Sequence, residues 1–418
     1  MRRSTFATLA LLAACLTAAL LTAPPGLATS AGTLRRQLGA ELRSVGGADG
    51  ALVVDLKTRK TLYSVAAGAR RLSASVEKIY TTSTALLRFG ANGRLATTIF
   101  GIGHLDSRGT WHGTLYLRGG GDPTFGSASY DRYAYGTGAT VQRLASNLRA
   151  SGIHAVRGSV VGDESYFDSL RGTPATGYAF STEVEGMLSG LVYDRGLADE
   201  HGGSYQNRPA LFATQRLVDA LRSAGIRIPG STKIFTGHTP RRARRLARVR
   251  SPRMATLIQL TNTPSDNFFA EMLVKGIGAR FGAGGSTAAG AGVVRGQIAR
   301  SFGIHPSLND GSGLSRSDRT SPQQVVKALR VLARNRSFVN SLALAGRSGT
   351  LGAGLRGTPA AGRCRGKTGT LHDVANLVGY CTAHNGHTLV FAFLLNSVDP
   401  TAGHSAEDRM AVDLVRYG

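Results

Sequence analysis

Ser75 and Lys78 stand three residues apart in "LSASVEKIYTTSTALL", residues 72–87. At helical pitch that spacing puts the hydroxyl and the amine on one face, one turn apart. A neutral amine in that place takes the serine proton and makes a covalent nucleophile of an otherwise weak one. The same two residues also suit the beginning of an ordinary buried helix, and chance alone supplies such a pair about as often as not. Lysine usage bears on the choice. The chain has seven lysines against 43 arginines. Guanidinium does not give up its proton in proteins, so a lysine kept in an arginine-biased chain is a candidate for work that needs a neutral amine. Of the seven, only Lys78 has a serine three residues before it.

Two further stretches carry chemistry. "GKTGT", residues 366–370, holds the only Lys-Ser/Thr-Gly of the chain, Lys367-Thr368-Gly369, in a stretch that reads as a strand. Glycine in a strand permits close backbone approach by a ligand; a glycine bulge in an edge strand is the plain alternative. "SDN", Ser265 to Asn267, precedes the apolar run "FFAEMLVK". Helix caps favour such residues in any case, and "SLN" at 307–309 is a second copy,. The first copy is preferred because its helix is apolar enough to be buried. Other plans fare worse: there is no Gly-x-Ser-x-Gly elbow, no His-Glu-x-x-His zinc pair, and the ten histidines are scattered,. The triple glycine at 119–121 lacks the Lys-Ser/Thr of a phosphate loop and reads as a tight turn, with Asp122 structural.

These residues need a scaffold. Residues 1–30, with Arg2 and Arg3 before a long apolar stretch and "PPGLATSA" after it, read as a secretory signal peptide processed near Ala28 or Ala31,. A retained anchor, or lipidation at Cys15 in "LAAC", is the alternative. No later segment has the length of a transmembrane span. "TLRRQLGAELRSVG" then reads as an amphipathic helix, "GALVVDLKTRKTLYSVAA" as a β-hairpin turning at Thr58–Lys60, and the Ser75 helix closes at Gly90,. Residues 91–248 change to short strands and glycine turns and read as an inserted β-rich domain. From 249 helical patterns return, and the chain ends in three strands, "CRGKTGTL", "VANLVGYCTA" and "HTLVFAFLLNSV", then a final helix. Asn385-Gly386 suits a type I′ turn between the last two strands. The first hairpin and the last three strands can join in one antiparallel sheet. That makes 31–90 and 249–418 a single discontinuous catalytic domain.

Loss of the leader leaves two cysteines, Cys364 and Cys381, in an oxidising compartment,. A hairpin turning at His372-Asp373 sets them directly opposite, close enough for a disulfide. Buried free thiols, or a one-residue bulge that puts them on opposite faces, are the alternatives. The formal charge is +25, and residues 241–253 hold seven arginines in thirteen positions. Without zinc-finger spacing or an aromatic platform, and on an exported chain, nucleic acid is a poor fit; anionic cell-wall polymers or a solvated face suit it better.

The order Ser-x-x-Lys, Ser-x-Asn, Lys-Thr-Gly resembles the signature of the penicillin-recognising serine acyltransferases. "DGSGLSR" (310–316), "LYLRGGGDPTF" and "AGRSGTL…GKTGTL…VANLVGY" narrow the resemblance to the D-alanyl-D-alanine carboxypeptidase/endopeptidase family, the low-molecular-mass class C penicillin-binding proteins. The long stretch between Ser75 and Ser265 is similar to the extra domains this family carries there. The resemblance implies an α+β fold of the penicillin-binding/β-lactamase-like transpeptidase type, an antiparallel sheet flanked by helices. It implies that Ser75 attacks the D-Ala-D-Ala carbonyl of peptidoglycan stem peptides, or a D-Ala-meso-diaminopimelate cross-link, while Lys78 takes its proton. Ser265 would pass a proton to the leaving amine, Asn267 hold the peptide amide, and Lys367, Thr368, Gly369 and Thr370 receive the terminal carboxylate. Lys367 nearby, and desolvation between helix and sheet, are expected to lower the Lys78 pKa. Arg316 would touch the peptide side chain, or belong with Asp310 and Ser312 to a structural loop. β-Lactam antibiotics are the implied inhibitors, and no cofactor or metal is implied. A serine β-lactamase shares the three motifs, but no Glu-x-x-x-Asn stretch supplies the deacylating glutamate of class A,. A non-enzymatic penicillin-sensing or wall-binding protein is the rival from another class.

Overall fold

The computed structural model describes residues 28–199, 202 and 204–418. In chain order it begins with α1 (Ala31–Val45), β1 (Ala48–Asp55), β2 (Thr61–Val65), β3 (Arg71–Leu72), a 3-10 turn at Ala74–Glu77 and α2 (Lys78–Phe89). The middle of the chain holds β4 (Ala96–Leu105), β5 (Thr110–Arg118), β6 (Phe125–Gly126), α3 (Ala128–Ala134), β7 (Ala139–Thr140), α4 (Val141–Ala150), β8 (Ala155–Arg157), β9 (Val160–Asp163), α5 (Pro209–Ser223), β10 (Ile234–Thr236) and β11 (Arg244–Arg250). Then come α6 (Met254–Asn262), α7 (Asn267–Phe281), α8 (Thr287–Phe302), β12 (Arg319–Thr320), α9 (Pro322–Leu332), α10 (Arg336–Ser341) and β13 (Ala343–Leu344). The last elements are β14 (Cys364–Leu371), β15 (Val374–Thr382), β16 (Thr388–Asn396) and α11 (Pro400–Arg416).

The N-terminal hairpin and the C-terminal strands do form one sheet, in the order β13-β14-β15-β16-β1-β2. Every pairing in it is antiparallel. Strand β16 shows why it is nearly all apolar. Val390, Ala392 and Leu394 face a core shared with α2, α6, α7 and α9. Leu389, Phe391, Phe393 and Leu395 face the other way, against α1 and α11. With side chains alternating across the pleat, a strand covered by helices on both faces reads as one continuous hydrophobic run. Helix α2 lies inside the first of these cores, buried from Lys78 to Leu86. That burial stabilises a helix whose threonines are weak helix formers.

A second sheet, in the order β10-β9-β5-β4-β11 with β8 beside β5, is built from the middle of the chain. The β-rich expectation for residues 91–248 needs correction, because helices α3, α4 and α5 are there too. Val141, Leu144, Ala145 and Leu148 of α4 recur at helical spacing and pack with Leu217 and Leu221 of α5 on this sheet. Nor does the middle segment keep to itself. Phe167, Val184, Leu188 and Val192 are buried in the same core as α2 and α7.

Two smaller expectations also change. The turn after β15 is not type I′, which needs both central residues at positive φ; only Gly386 is there, at φ 76°, and Asn385 is not,. Gly386 N–H donates to Ala383 O and Ala383 N–H to His387 O, giving a longer turn with a bulged end. The signal peptide expected at residues 1–30 lies, for residues 1–27, outside the described residues, while Thr29 and Ser30, counted with it, belong to the fold. Thr29 N–H donates to Arg416 O, and the Ser30 hydroxyl accepts from Thr33 N–H to cap α1.

In the β14–β15 register Cys364 stands opposite Cys381, and the two are joined as a disulfide. The bridge closes a loop with a sequence separation of 17, so replacing both cysteines by alanine is expected to remove about 3 kcal/mol of unfolding free energy,. Urea titration of the oxidised protein and the double variant measures this; coincident curves would show that the bridge contributes nothing.

Candidate active site

Ser75 lies in the 3-10 turn that leads into α2, and that turn is pinned to the sheet. Asn376 Nδ2 on β15 donates to the carbonyls of Leu72 and Ser73, each at 3.0 Å, and Asn396 Oδ1 on β16 accepts from Leu72 N–H at 2.7 Å. Ala74 takes a left-handed φ of 43°, which turns the chain sharply just before Ser75. Gly369 of β14 fits under this turn: a Cβ there would stand 3.0 Å from Ser73 O and 3.3 Å from Ala74 Cβ. The room that glycine leaves is thus taken by the serine turn itself, where the sequence suggests an approaching ligand.

Lys78 is fully buried, and its Nζ has three partners: Ser75 Oγ at 2.7 Å, Asn267 Oδ1 at 2.6 Å and Ser312 O at 2.9 Å. The Ser312 carbonyl can only accept. The Asn267 amide is oriented by its Nδ2, which donates to Glu183 O at 2.8 Å, so its oxygen must face the lysine,. A neutral amine has two protons and one lone pair. When Lys78 is neutral, directing both protons at these two acceptors leaves the lone pair facing the Ser75 hydroxyl, the orientation a base requires.

Burial lowers the Lys78 pKa to about 8, although Asp310, Glu271, Asp266 and Glu185 pull it upward,. Of the two causes expected, desolvation is the one that lowers it, and Lys367 is not among the groups that do. The charge coupling shows instead on Lys367, which burial first and the Lys78 charge second hold well below the ordinary lysine range. Lys367 Nζ donates to Ser265 Oγ and to Thr368 O, both at 2.8 Å.

Ser265 sits in the break between α6 and α7 at φ 70°, a left-handed conformation that costs a non-glycine residue energy and is held by its surroundings,. The holder is Asp266. It caps α7 by accepting from Phe269 N–H at 2.8 Å, and the Arg195 guanidinium forks onto both its oxygens. Arg195 also lies over the Phe268 ring, 4.9 Å from its centre. From the same loop of the middle segment, Glu185 Oε2 accepts from Asn267 N–H at 3.1 Å. Sequence reasoning missed Arg195, Glu183 and Glu185. Arg195→Ala leaves the partly buried Asp266 without its counter-ion, which is expected to cost on the order of 3 kcal/mol. It also frees Ser265 and Asn267, so acylation by a penicillin should slow at least ~10-fold. Thermal unfolding and stopped-flow labelling check both; a variant unchanged in both would deny the loop any part in the site.

Asp310 is a loop organiser: its carboxylate accepts from Ser312, Gly313 and Ser315 N–H at 3.1, 2.7 and 2.8 Å. Together with Glu271 Oε1, which accepts from Gly311 and Ser312 N–H, it aims the Ser312 carbonyl at Lys78. Arg316 forks onto Asp373 at 2.7 and 2.9 Å, on the exposed turn between β14 and β15, so its guanidinium is engaged at the rim. Asp122 accepts from Thr124 within its own turn.

Beyond Gly366, β14 leaves its outer edge open, because β13 pairs only with Arg365 and Gly366. Along that stretch Thr368 Oγ1 donates to Thr350 Oγ1 at 2.9 Å, and Thr370 Oγ1 lies 2.7 Å from His404 Nε2 of α11. His404 Nδ1 in turn lies 2.7 Å from Glu407 Oε2. His404 is a further residue missed; His-x-x-Glu on a helix was the available signal.

A serine hydroxyl facing a buried lysine whose pKa is lowered to about 8, beside a second lysine and an open strand edge, is equipped for acyl transfer to serine from a substrate bearing an anion. The comparisons with known proteins agree with that equipment. A family model described as the D-Ala-D-Ala carboxypeptidase 3 (S13) family matches residues 37–188 and 203–417. The chain is 28% identical over 489 residues to the D-alanyl-D-alanine carboxypeptidase of Actinomadura sp. (strain R39), covering 95% of this chain and 88% of that protein. It is 31% identical over 386 residues to carboxypeptidase DacB of Mycolicibacterium smegmatis, covering 88% and 80%. Among solved structures, penicillin binding protein 4 (dacB) from Haemophilus influenzae matches with a TM-score of 0.74 at 19% identity, over 90% of this chain and 98% of that one. A predatory peptidoglycan endopeptidase from Bdellovibrio bacteriovorus matches with a TM-score of 0.52 at 17% identity, over 85% and 87%. These structural likenesses bear on the fold.

Proposed function

The chain belongs to the D-Ala-D-Ala carboxypeptidase 3 (S13) family, and on that footing we propose that it cleaves D-Ala-D-Ala ends of peptidoglycan stem peptides through an acyl-enzyme on Ser75. It is a peptidase, a hydrolase of the D-alanyl-D-alanine carboxypeptidase class. The observation that carries the Ser75 assignment is the setting of Lys78, buried, lowered to about 8, and with two of its three partners unable to donate.

Ser75 Oγ attacks the carbonyl carbon as its proton passes to Lys78 Nζ. The backbone N–H groups of Ser75 and Thr370 stabilise the oxyanion. The C–N bond then breaks, and the proton reaches the departing amine through the Ser265 hydroxyl, which Lys367 orients at 2.8 Å. Lys367 with the Thr368 and Thr370 hydroxyls receives the terminal carboxylate, and Asn267 holds the peptide amide. Water, deprotonated by Lys78, hydrolyses the ester. Penicillins enter the same path as inhibitors; a relative in the fold, penicillin binding protein 4 from Haemophilus influenzae, was solved with a novel beta-lactam.

The division of the chain into a catalytic domain, 31–90 with 249–418, and a unit inserted at 91–248 belongs to this reading; the two sheets, and the second sheet's own packing against α4 and α5, support it. So does action outside the cytoplasm, where the substrate lies. No helix among the described residues is long and apolar enough to cross a membrane. The arginine-rich segment forms β11, the outer strand of the second sheet, with Arg244, Arg245, Arg248 and Arg250 exposed. Arg250 first, then desolvation and Arg245, lower the Arg248 pKa, and this exposed row of like charges would attract an anionic wall polymer,.

Incubation with an N-acylated peptide ending in D-Ala-D-Ala, followed by assay of free D-alanine, tests the activity. Labelling with fluorescent penicillin and timing the release separates the rivals. Persistent label with D-alanine release is the expected outcome. Rapid loss of label would mean a β-lactamase, and neither label nor D-alanine a binding protein.

A further inference from the structure

Beside the open edge of β14 is a cavity of about 290 Å³, walled by Thr350, Thr368 and Thr370 on one side and His404, Glu407 and Asp408 on the other. Glu407 is 1% exposed, its Oε2 bonded to His404 and its Oε1 without a hydrogen-bond partner. The run from Thr370 through His404 to Glu407 thus ends in a buried carboxyl group, and it begins at a hydroxyl assigned above to the substrate carboxylate.

We propose that His404 is a positioning residue for Thr370, and that the His404–Glu407 pair decides, by gaining or losing one proton, whether the Thr370 hydroxyl can donate to the substrate's terminal carboxylate. When the pair is deprotonated, Glu407 is a carboxylate that accepts from His404 Nδ1–H, and Nε2 carries a lone pair. The Thr370 hydroxyl proton is then drawn to Nε2, and only oxygen lone pairs face an incoming anion. When the pair holds one more proton, Nε2 carries a hydrogen whichever way that proton is shared. An imidazolium beside a carboxylate has Nε2–H, and so does a neutral imidazole whose Nδ1 accepts from a protonated Glu407. In both forms Nε2–H donates to Thr370 Oγ1 and frees the hydroxyl proton for the substrate. The outcome therefore depends on the charge of the pair and not on which partner holds the proton.

The groups around His404 place this step near neutrality. Glu407 and Asp408 face it from its own helix, and Arg409 on the same helix is engaged with Glu41 of α1. From strands β14 and β15 and the segment around Thr350, the cavity is lined by Thr368, Thr370, Leu377, Thr350, Leu351 and Gly354, none of them charged. Lys367 Nζ is engaged with Ser265 and Thr368 O and is not among the groups that act on His404. Burial pulls the His404 pKa down, but the Glu407 hydrogen bond and charge, with Asp408, more than offset it, leaving it above the ordinary value. Burial pushes Glu407 up to about 7 against the pull of His404.

This rests on the carboxylate role proposed for Thr370, so the test separates the two. The kcat/KM for an N-acylated D-Ala-D-Ala peptide is measured from pH 5.5 to 8.5 in wild type, His404→Ala, Glu407→Gln and Thr370→Val. The Lys78 titration is common to all and cancels in the ratio of wild type to His404→Ala. That ratio is expected to rise as pH falls, from within ~2-fold of unity at the alkaline end to ~10-fold at the acid end, carried by KM. Glu407→Gln keeps an acceptor for Nδ1–H but removes the charge, so the break should move about one pH unit to the acid side. A flat ratio, or a break that Glu407→Gln leaves in place, overturns the role of His404. If Thr370→Val leaves KM unchanged, the carboxylate role of Thr370 falls first.

Discussion

Ser75→Ala is expected to lower D-alanine release by at least ~10⁴-fold while leaving the melting temperature within a few degrees of wild type. The size follows from what is removed. Without Oγ there is no atom to form the acyl bond, and the lysine, the oxyanion donors and the carboxylate site have only a bound water to activate. Stability should hardly change. The Ser75 hydroxyl is held by Lys78 Nζ at 2.7 Å, whereas the turn around it is fixed by the Asn376 and Asn396 amides. A variant that kept a tenth of wild-type turnover would mean that another residue is acylated.

Lys78→Arg should lose roughly 10²–10⁴-fold in acylation, nearly as much as Lys78→Met, even though arginine keeps the positive charge. Charge is not the function lost. The base must be neutral at the moment Ser75 attacks, and guanidinium never is. The two variants bracket the interpretation: methionine keeps approximate length without an amine, arginine keeps charge without a releasable proton. In the wild type the sign of the pH effect follows from the same chemistry. The neutral amine is the active form, and with a pKa of about 8 the acylation rate should rise close to tenfold per pH unit below that value and level off above it,. A Lys78→Arg variant with more than a tenth of the wild-type rate, or a rate that falls with rising pH across this range, would remove lysine as the base.

The parts of the site that were readable from sequence are those whose geometry is set within one element. Ser75 and Lys78 share one helical turn, so three residues of spacing were enough. Lys367, Thr368 and Thr370 stand on a strand whose triplet occurs once. The pairing of Cys364 with Cys381 follows from the position of a turn, because an antiparallel register is symmetric about it,. What was not readable is what crosses the chain. Arg195 reaches Asp266 over 71 residues, Glu183 reaches Asn267 over 84, and Asn396 reaches Leu72 over 324. None of these partners carries a local mark. His404 is intermediate: its i, i+3 relation to Glu407 is local, whereas its contact with Thr370 depends on how α11 lies across β14.

The helices of the middle segment teach a different lesson. Val141, Leu144, Ala145 and Leu148 are a plain helical period, with the Thr140 hydroxyl accepting from Arg143 N–H as its cap. Short strands and glycine turns on either side dominate the composition of that stretch and hide it. The turn at Asn385-Gly386 erred for a related reason. The dipeptide permits a type I′ turn, but the last hydrogen-bonded pair, Thr382 with Thr388, leaves five residues between the strands, and a two-residue turn does not span them,.

Peptide mapping by mass spectrometry of the wild-type protein, quenched after brief exposure to a penicillin, bears directly on the acyl-enzyme. One penicilloyl group per chain, localised to Ser75 within the segment from Leu72 to Lys78, is the expected result. An adduct on any other side chain, or a protein that remains unmodified at concentrations that saturate D-Ala-D-Ala cleavage, would contradict it.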